Sequence, residues 1–177
     1  MDVKTIVLAI AALAAVAFVV QSAYTQNARV QQCNEGDVLA VFSPEDSGAI
    51  LDLLASAKRE IKLEVYEFSY TVLADALIDA RSRGVSVQVV LEPDVASNTQ
   101  TSQYLLNGGV DVAWASKKFH NTHSKFAVID DYAVMVGSTN WSKNAMLYNR
   151  EASVIVYSKD VAGSFERIFD SDYAIAS

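Results

Sequence analysis

Apolar residues recur along this chain in short runs, and their spacing switches between two and three-to-four. Val38–Phe42 is a compact apolar run and predicts a first strand. Ser43-Pro44-Glu45-Asp46 then starts a helix whose apolar side carries Ile50, Leu51, Leu53, Leu54 and Ala57. Ile61, Leu63 and Val65 alternate with Lys62 and Glu64, the period-two signature of a strand over Ile61–Tyr66. Val72, Leu73, Ala76, Leu77 and Ala80 return to helical spacing within Tyr70–Arg83, and Gly84 closes that helix. Val85–Leu91 predicts a strand, Glu92-Pro93-Asp94 a break, and Asn98–Asn107 a helix ending at Gly108-Gly109. Val110–Trp114 predicts one more short strand.

Beyond this point the chain is richer in strands. Residues 124–129, Ala133–Val136 and Ala152–Tyr157 predict strands, and a closing helix falls near Val161–Phe169. Asp130-Asp131 sits between two of the strands and reads as a hairpin turn. Strands and helices alternate strictly through the first part. This predicts an α/β domain with a mixed, largely parallel β-sheet flanked by helices, over residues 37–177.

The N-terminal part follows another pattern. Residues 5–20 are almost wholly apolar after Lys4, and two readings lead over a third, a buried core helix, because the hydrophobicity runs all round. As a signal peptide, the segment would be cut before Ala23, with Val20 and Ser22 as the small residues of the site. As a membrane anchor, it would span about 24 Å as a helix, close to a ~30 Å hydrocarbon core once its flanks are added. Either way residues 1–23 address the chain outside the cytoplasm, secreted or periplasmic, or to a membrane surface. Residues 24–36 are polar and aperiodic and read as a linker. Cys33 is the only cysteine, so a disulfide within the chain is excluded.

Charge narrows the function. The net charge of −7 and pI near 4.7 argue against a generally basic, nucleic-acid-coating surface. Locally the sign reverses. Between Trp114 and Arg150, five basic residues (Lys117, Lys118, Lys125, Lys143 and Arg150) face two acidic ones (Asp130 and Asp131), a balance of +3.

That basic stretch surrounds a spaced constellation: His123, Lys125, Asp130, Gly137, Ser138 and Asn140, or H-x-K-x4-D-x6-G-S-x-N. On a strand, residues two apart share a face, so His123 and Lys125 project together, roughly 7 Å apart along the chain. An ammonium beside an imidazole suits a phosphate. Lysine brings charge and three donors, and histidine attacks or moves a proton near neutral pH. Asn140 adds donors for a non-bridging oxygen, Ser138 a hydroxyl, and Gly137 a sharp turn or close approach. Lys117, Lys118 and Lys143 are candidates for contacts to a substrate backbone, and Phe119, next to His120, for stacking on a base. No histidine, cysteine or carboxylate set has convincing metal-ligand spacing.

These residues resemble the HKD signature of the phospholipase D superfamily, in particular its small single-motif, Nuc-type endonucleases. The likeness extends to Val41–Glu45, Glu64–Phe68 and Arg83–Val87 and covers about residues 37–173. It implies a phospholipase D-like fold and a metal-independent phosphodiesterase without a cofactor. In such an enzyme His123 forms a phosphohistidine, and Lys125 and Asn140 hold the non-bridging oxygens while Ser138 assists. Glu151 stands where the family has a carboxylate bonded to the histidine ring. Asp130 stands where the family residue is structural.

Phosphodiester hydrolysis needs a nucleophile on one side and an acid on the other, and this chain has one copy of the motif. A two-fold homodimer supplies both from two copies of His123. Nucleic acid is the expected substrate. The alternatives are a phospholipase or cardiolipin hydrolase held at a membrane through residues 5–20, and an inactive module that binds nucleic acid or anionic lipid.

Overall fold

The computed structural model describes residues 36–177. The predicted N-terminal address, its cleavage site, Cys33 and nearly all of the linker lie outside the described residues. Within residues 36–177 the elements are β1 (Val38–Ser43), α1 (Gly48–Ser56), β2 (Glu60–Val65), α2 (Thr71–Ser82), β3 (Ser86–Leu91) and α3 (Ala96–Asn107). They continue as β4 (Asp111–Trp114), β5 (Lys125–Ile129), β6 (Ala133–Gly137), α4 (Lys143–Leu147), β7 (Glu151–Tyr157) and α5 (Lys159–Ala174). Among the described residues, no helix is long and apolar enough to cross a membrane.

The seven strands form one sheet in the order β1-β7-β6-β5-β2-β3-β4. The expected largely parallel sheet is corrected here. Only β2–β3 and β3–β4 pair in parallel, and the other four neighbouring pairs are antiparallel. The reason lies in the connections. A parallel neighbour requires a crossover long enough to carry the chain back along the sheet. Helices α2 and α3, of twelve residues each, provide this twice. The β5–β6 link is a tight turn in which Asp130 and Asp131 both take positive φ (55° and 53°). The β6–β7 link holds only the five-residue α4, about 7.5 Å of helix, so β7 starts at the end where β6 stopped. Strand β1 does run in the same direction as β2. However, α1 carries the chain past three intervening strands, and β1 pairs with β7 at the sheet edge.

Both faces of the sheet are covered. On one, Ile61, Leu63, Val65, Ala127 and Ile129 pack with Leu54, Leu73, Leu77 and Leu105 from the first three helices. On the other, Phe126, Val128 and Val134 pack against Phe165 and Phe169 of α5. The alternation in β2 therefore does not mark a solvated face. Lys62 and Glu64 are buried beneath α5, and Lys62 reaches Glu166, Asp170 (2.9 Å) and Glu60 (3.7 Å).

Candidate active site

The strand directions bring the C-terminal ends of β1, β2, β3, β4 and β6 and the N-terminal ends of β5 and β7 to the same end of the sheet. The loop 115–124 leaves edge strand β4, passes the ends of β3 and β2, and enters β5 in the middle of the sheet. His123 is its penultimate residue and is exposed, whereas Lys125, the first residue of β5, is buried. The ladder fixes Lys125 opposite Val65 of β2, and Tyr66 N–H donates to Ser124 O (3.1 Å).

The lysine stem folds back toward its neighbour. Lys125 Nζ donates to the His123 carbonyl at 2.7 Å and lies 3.2 Å from His123 Nδ1. The two groups are therefore much closer than the spacing along the strand. An ammonium donating to Nδ1 leaves the imidazole proton on Nε2. Tyr66 lies against both groups, with its ring centroid 4.3 Å from that of His123 and 5.2 Å from Nζ. Burial pushes the Lys125 ammonium below its ordinary pKa of 10.5. The negative charges of Glu151 and Glu67 pull the other way without offsetting it.

The second half of the constellation follows β6. A side chain at Gly137 would run into the Ala152 carbonyl and into Ser153, so close approach of β7 requires glycine there. Ser138 Oγ donates to Glu151 Oε2 (2.6 Å) and accepts from Ala152 N–H (3.1 Å). Asn140 Nδ2 donates to Glu67 Oε2 (3.4 Å), while Asn140 Oδ1 is buried without a partner. Glu151 takes its second contact from Asn149 Nδ2 (3.2 Å). Its carboxylate thus holds Ser138 and Asn149 here, not the His123 ring expected from the resemblance.

The remaining predicted residues lie around this end or away from it. Lys117 and Lys118 are exposed on the 115–124 loop. Lys117 pairs with Asp94 (2.6 Å), and Lys118 lies over Phe119 (5.5 Å). Lys143 is exposed at the first residue of α4. Asp130 sits at the opposite end of the sheet, where its carboxylate accepts the N–H groups of Lys58, Arg59 and Glu60 at 2.7–2.9 Å and fixes the entry to β2. The sequence reading missed Tyr66, Glu67, Glu92 and Asn98. For Tyr66 and Glu67 the signal was available, because they directly follow β2, the strand that pairs with the motif strand. Among the described residues, the one group of carboxylates close enough to share a cation is Glu60, Asp131 and Glu166, at the far end from His123. The cation already within that group is the Lys62 ammonium.

A histidine and a lysine on one exposed sheet end, with amide and hydroxyl donors beside them, define a site for a phosphodiester. The family comparison agrees. Residues 50–173 match the family described as "Cardiolipin synthase, PLD-like domain", and the chain belongs to this phospholipase D-like family, whose members are phosphodiesterases. It is 35% identical over 123 residues to the mitochondrial cardiolipin hydrolase of Xenopus tropicalis, a match covering 68% of this chain and 58% of that protein. The match to the mitochondrial cardiolipin hydrolase of Chlamydomonas reinhardtii covers 81% of this chain and 65% of that one, at 27% identity. The chain thus spans somewhat more than half the length of these relatives. Among solved structures, Nuc from Salmonella typhimurium, a phospholipase D family member, superposes with a TM-score of 0.76 at 27% identity, over 81% of this chain and 97% of that one. NucT from Helicobacter pylori shares the fold, with a TM-score of 0.72 at 22% identity over 80% of this chain and 98% of its own.

Proposed function

We propose that this chain is a metal-independent phosphodiesterase that cleaves nucleic acid, with one active site built from two copies of the chain. The observation that carries the proposal is the contact of exposed His123 with the buried Lys125 ammonium, at the sheet end that also carries Asn140. Each copy offers one imidazole to a reaction that needs two. A nitrogen of one His123 attacks phosphorus, and the His123 of a second copy gives its proton to the leaving oxygen. A phosphohistidine results. Water, deprotonated by the second imidazole, then attacks that phosphorus and releases the first histidine.

Lys125 and Asn140 supply donors to the non-bridging oxygens, where charge builds in the transition state. In the free site Lys125 Nζ faces His123 Nδ1. A bound phosphate draws the ammonium away, so the ring can shift to its Nδ1–H tautomer, its Nε2 proton passing to water, and attack through Nε2. Glu151 is the acceptor for the Nδ1 proton once the ring turns. Support for nucleic acid comes from the near-complete overlap with Nuc and from the Lys117, Lys118 and Phe119 rim.

A second reading, hydrolysis of cardiolipin or another phospholipid, is favoured by the match to the cardiolipin hydrolases and by the apolar residues 5–20. In both readings that segment exports the chain or holds it on a membrane. The purified chain is incubated in EDTA with single-stranded DNA, double-stranded DNA, RNA and cardiolipin vesicles, with His123→Ala as control. Nucleic-acid cleavage that is lost in the variant supports the first reading, and lipid turnover alone supports the second. Binding without turnover of any substrate leaves an inactive binding module. Activity that EDTA abolishes and a divalent ion restores refutes the metal-independent mechanism.

A further inference from the structure

His123 is exposed, with Tyr66 and Lys125 against its ring, so its placement depends on its backbone. The residues on either side of it are both fixed by hydrogen bonds. On the N-terminal side, Thr122 N–H donates to Glu92 Oε2 at 2.7 Å. On the C-terminal side, Ser124 O accepts the Tyr66 N–H at 3.1 Å, and the Tyr66 ring lies against the imidazole. These two holders meet at one side chain. Asn98, fully buried in the first turn of α3, donates from Nδ2 both to Tyr66 O (2.8 Å) and to Glu92 O (2.9 Å). Its Oδ1 accepts the Phe68 N–H at 2.8 Å, so each of its three bonds is spent on the loops beside His123. Glu92 is 2% exposed, and its other carboxylate oxygen accepts Asp94 N–H (3.2 Å).

We propose that Glu92 and Asn98 are positioning residues for His123, clamping the chain on both sides of the imidazole through Thr122 and Tyr66. Neither touches the reacting atoms. A carboxylate fits the position because two backbone N–H groups converge on it, one on each oxygen, and bonds to a charged acceptor are about twice as strong as neutral ones. An amide fits at residue 98 because the site requires two donations and one acceptance from a single side chain. The need for the clamp follows from sharing the site, since an imidazole that must meet its counterpart from a second copy tolerates little displacement. A shift of about 1 Å in such a group costs on the order of 100-fold in rate.

The inference rests on the phosphodiesterase reading above, and its test is separable from that reading. In Glu92→Gln one of the two N–H groups loses its acceptor. With bis(p-nitrophenyl) phosphate as substrate, kcat is expected to fall by about 10- to 100-fold at unchanged KM. Asn98→Ala behaves alike, and the double variant loses little more than the worse single variant because the two act as a unit. The chain has only two histidines, so ring NMR signals resolve directly. Glu92→Gln broadens or splits the His123 signal and leaves His120 unmoved.

In the unmodified chain the Thr122 amide, although in a loop, exchanges slowly with solvent, a measurement that holds even if the variants do not fold. Wild-type kcat and an unchanged His123 signal in Glu92→Gln overturn the proposal, as does rapid exchange at Thr122. A chain that hydrolyses no phosphodiester refutes the functional reading, while the ring signal and the amide still decide whether the clamp exists.

Discussion

Two lysines, one at each end of the central strands, are buried to the same extent, and their charges are tuned in opposite directions. Lys62 and Lys125 are each 8% exposed. Burial pulls Lys62 down, but Glu166, Asp170 and Glu60 together carry it above its ordinary value. At Lys125 burial wins, since Glu151 and Glu67 act only through their charge and the nearest polar atoms belong to His123. Equal burial thus yields a saturated ion network at one end and an under-paired cation at the other. The first holds α5 to the sheet. The second donates to His123, and in the proposed function it turns to a substrate phosphate.

The comparison breaks most sharply by mutation. Lys125→Ala is expected to lower kcat by roughly 100- to 1,000-fold, the usual cost of losing a donor to transition-state charge, while the melting temperature holds or rises. Lys62→Ala is expected to do the reverse. It leaves Glu60, Glu166 and Asp170 without their cation, costs about 3 kcal/mol of stability, and spares the activity of the folded fraction. Chemical denaturation and steady-state kinetics on both variants decide. Equal effects on stability would refute the contrast.

A smaller effect concerns the alkaline side of the rate profile. Lys125 loses its proton at a lower pH than an ordinary lysine, so activity declines earlier than a pKa of 10.5 would give. Glu151→Gln removes the larger of the two charges that raise it, so the limb moves to lower pH. Glu67→Gln moves it less. A limb that stays in place in both variants contradicts this assignment.

The smallest effect lies under α5. Burial raises the Glu64 carboxyl from 4.5 to about 7. Ser124 lowers it, and the charge and hydrogen bond of Asp172 raise it. Glu60 is raised to about 7 as well, chiefly through its hydrogen bond with Asp131. Between pH 4.5 and about 7 the unfolded chain releases these protons while the folded chain keeps them, so both groups make stability fall as pH rises through that window. Glu64→Gln therefore flattens the dependence and raises the melting temperature at pH 8. A variant as pH-sensitive as the parent would count against a protonated Glu64.

The elements were legible because period and punctuation agree, as in α2, where five small or apolar residues at helical spacing end before Gly84. The motif was legible because its residues lie within eighteen positions and their types are chemically unusual together. Sheet order was not. Nothing local in Val38–Ser43 says that it pairs with β7 rather than β2, since that choice depends on how far α1 carries the chain. Helix α4 is too short to display a helical period. Glu92 and Asn98 stand in a stretch that reads as a break followed by a polar helix. Their role appears only when the ends of β2, β3 and the 115–124 loop are brought together.

The central claim is that one active site is assembled from two copies of His123. Wild-type and His123→Ala chains, co-refolded in graded ratios, test it through the specific activity on the substrate that the EDTA assay identifies. If each site needs both imidazoles, heterodimers are inactive and activity follows the square of the wild-type fraction, about one quarter at an equal mixture. Activity that falls in simple proportion, to about one half at that mixture, would mean that each chain works alone.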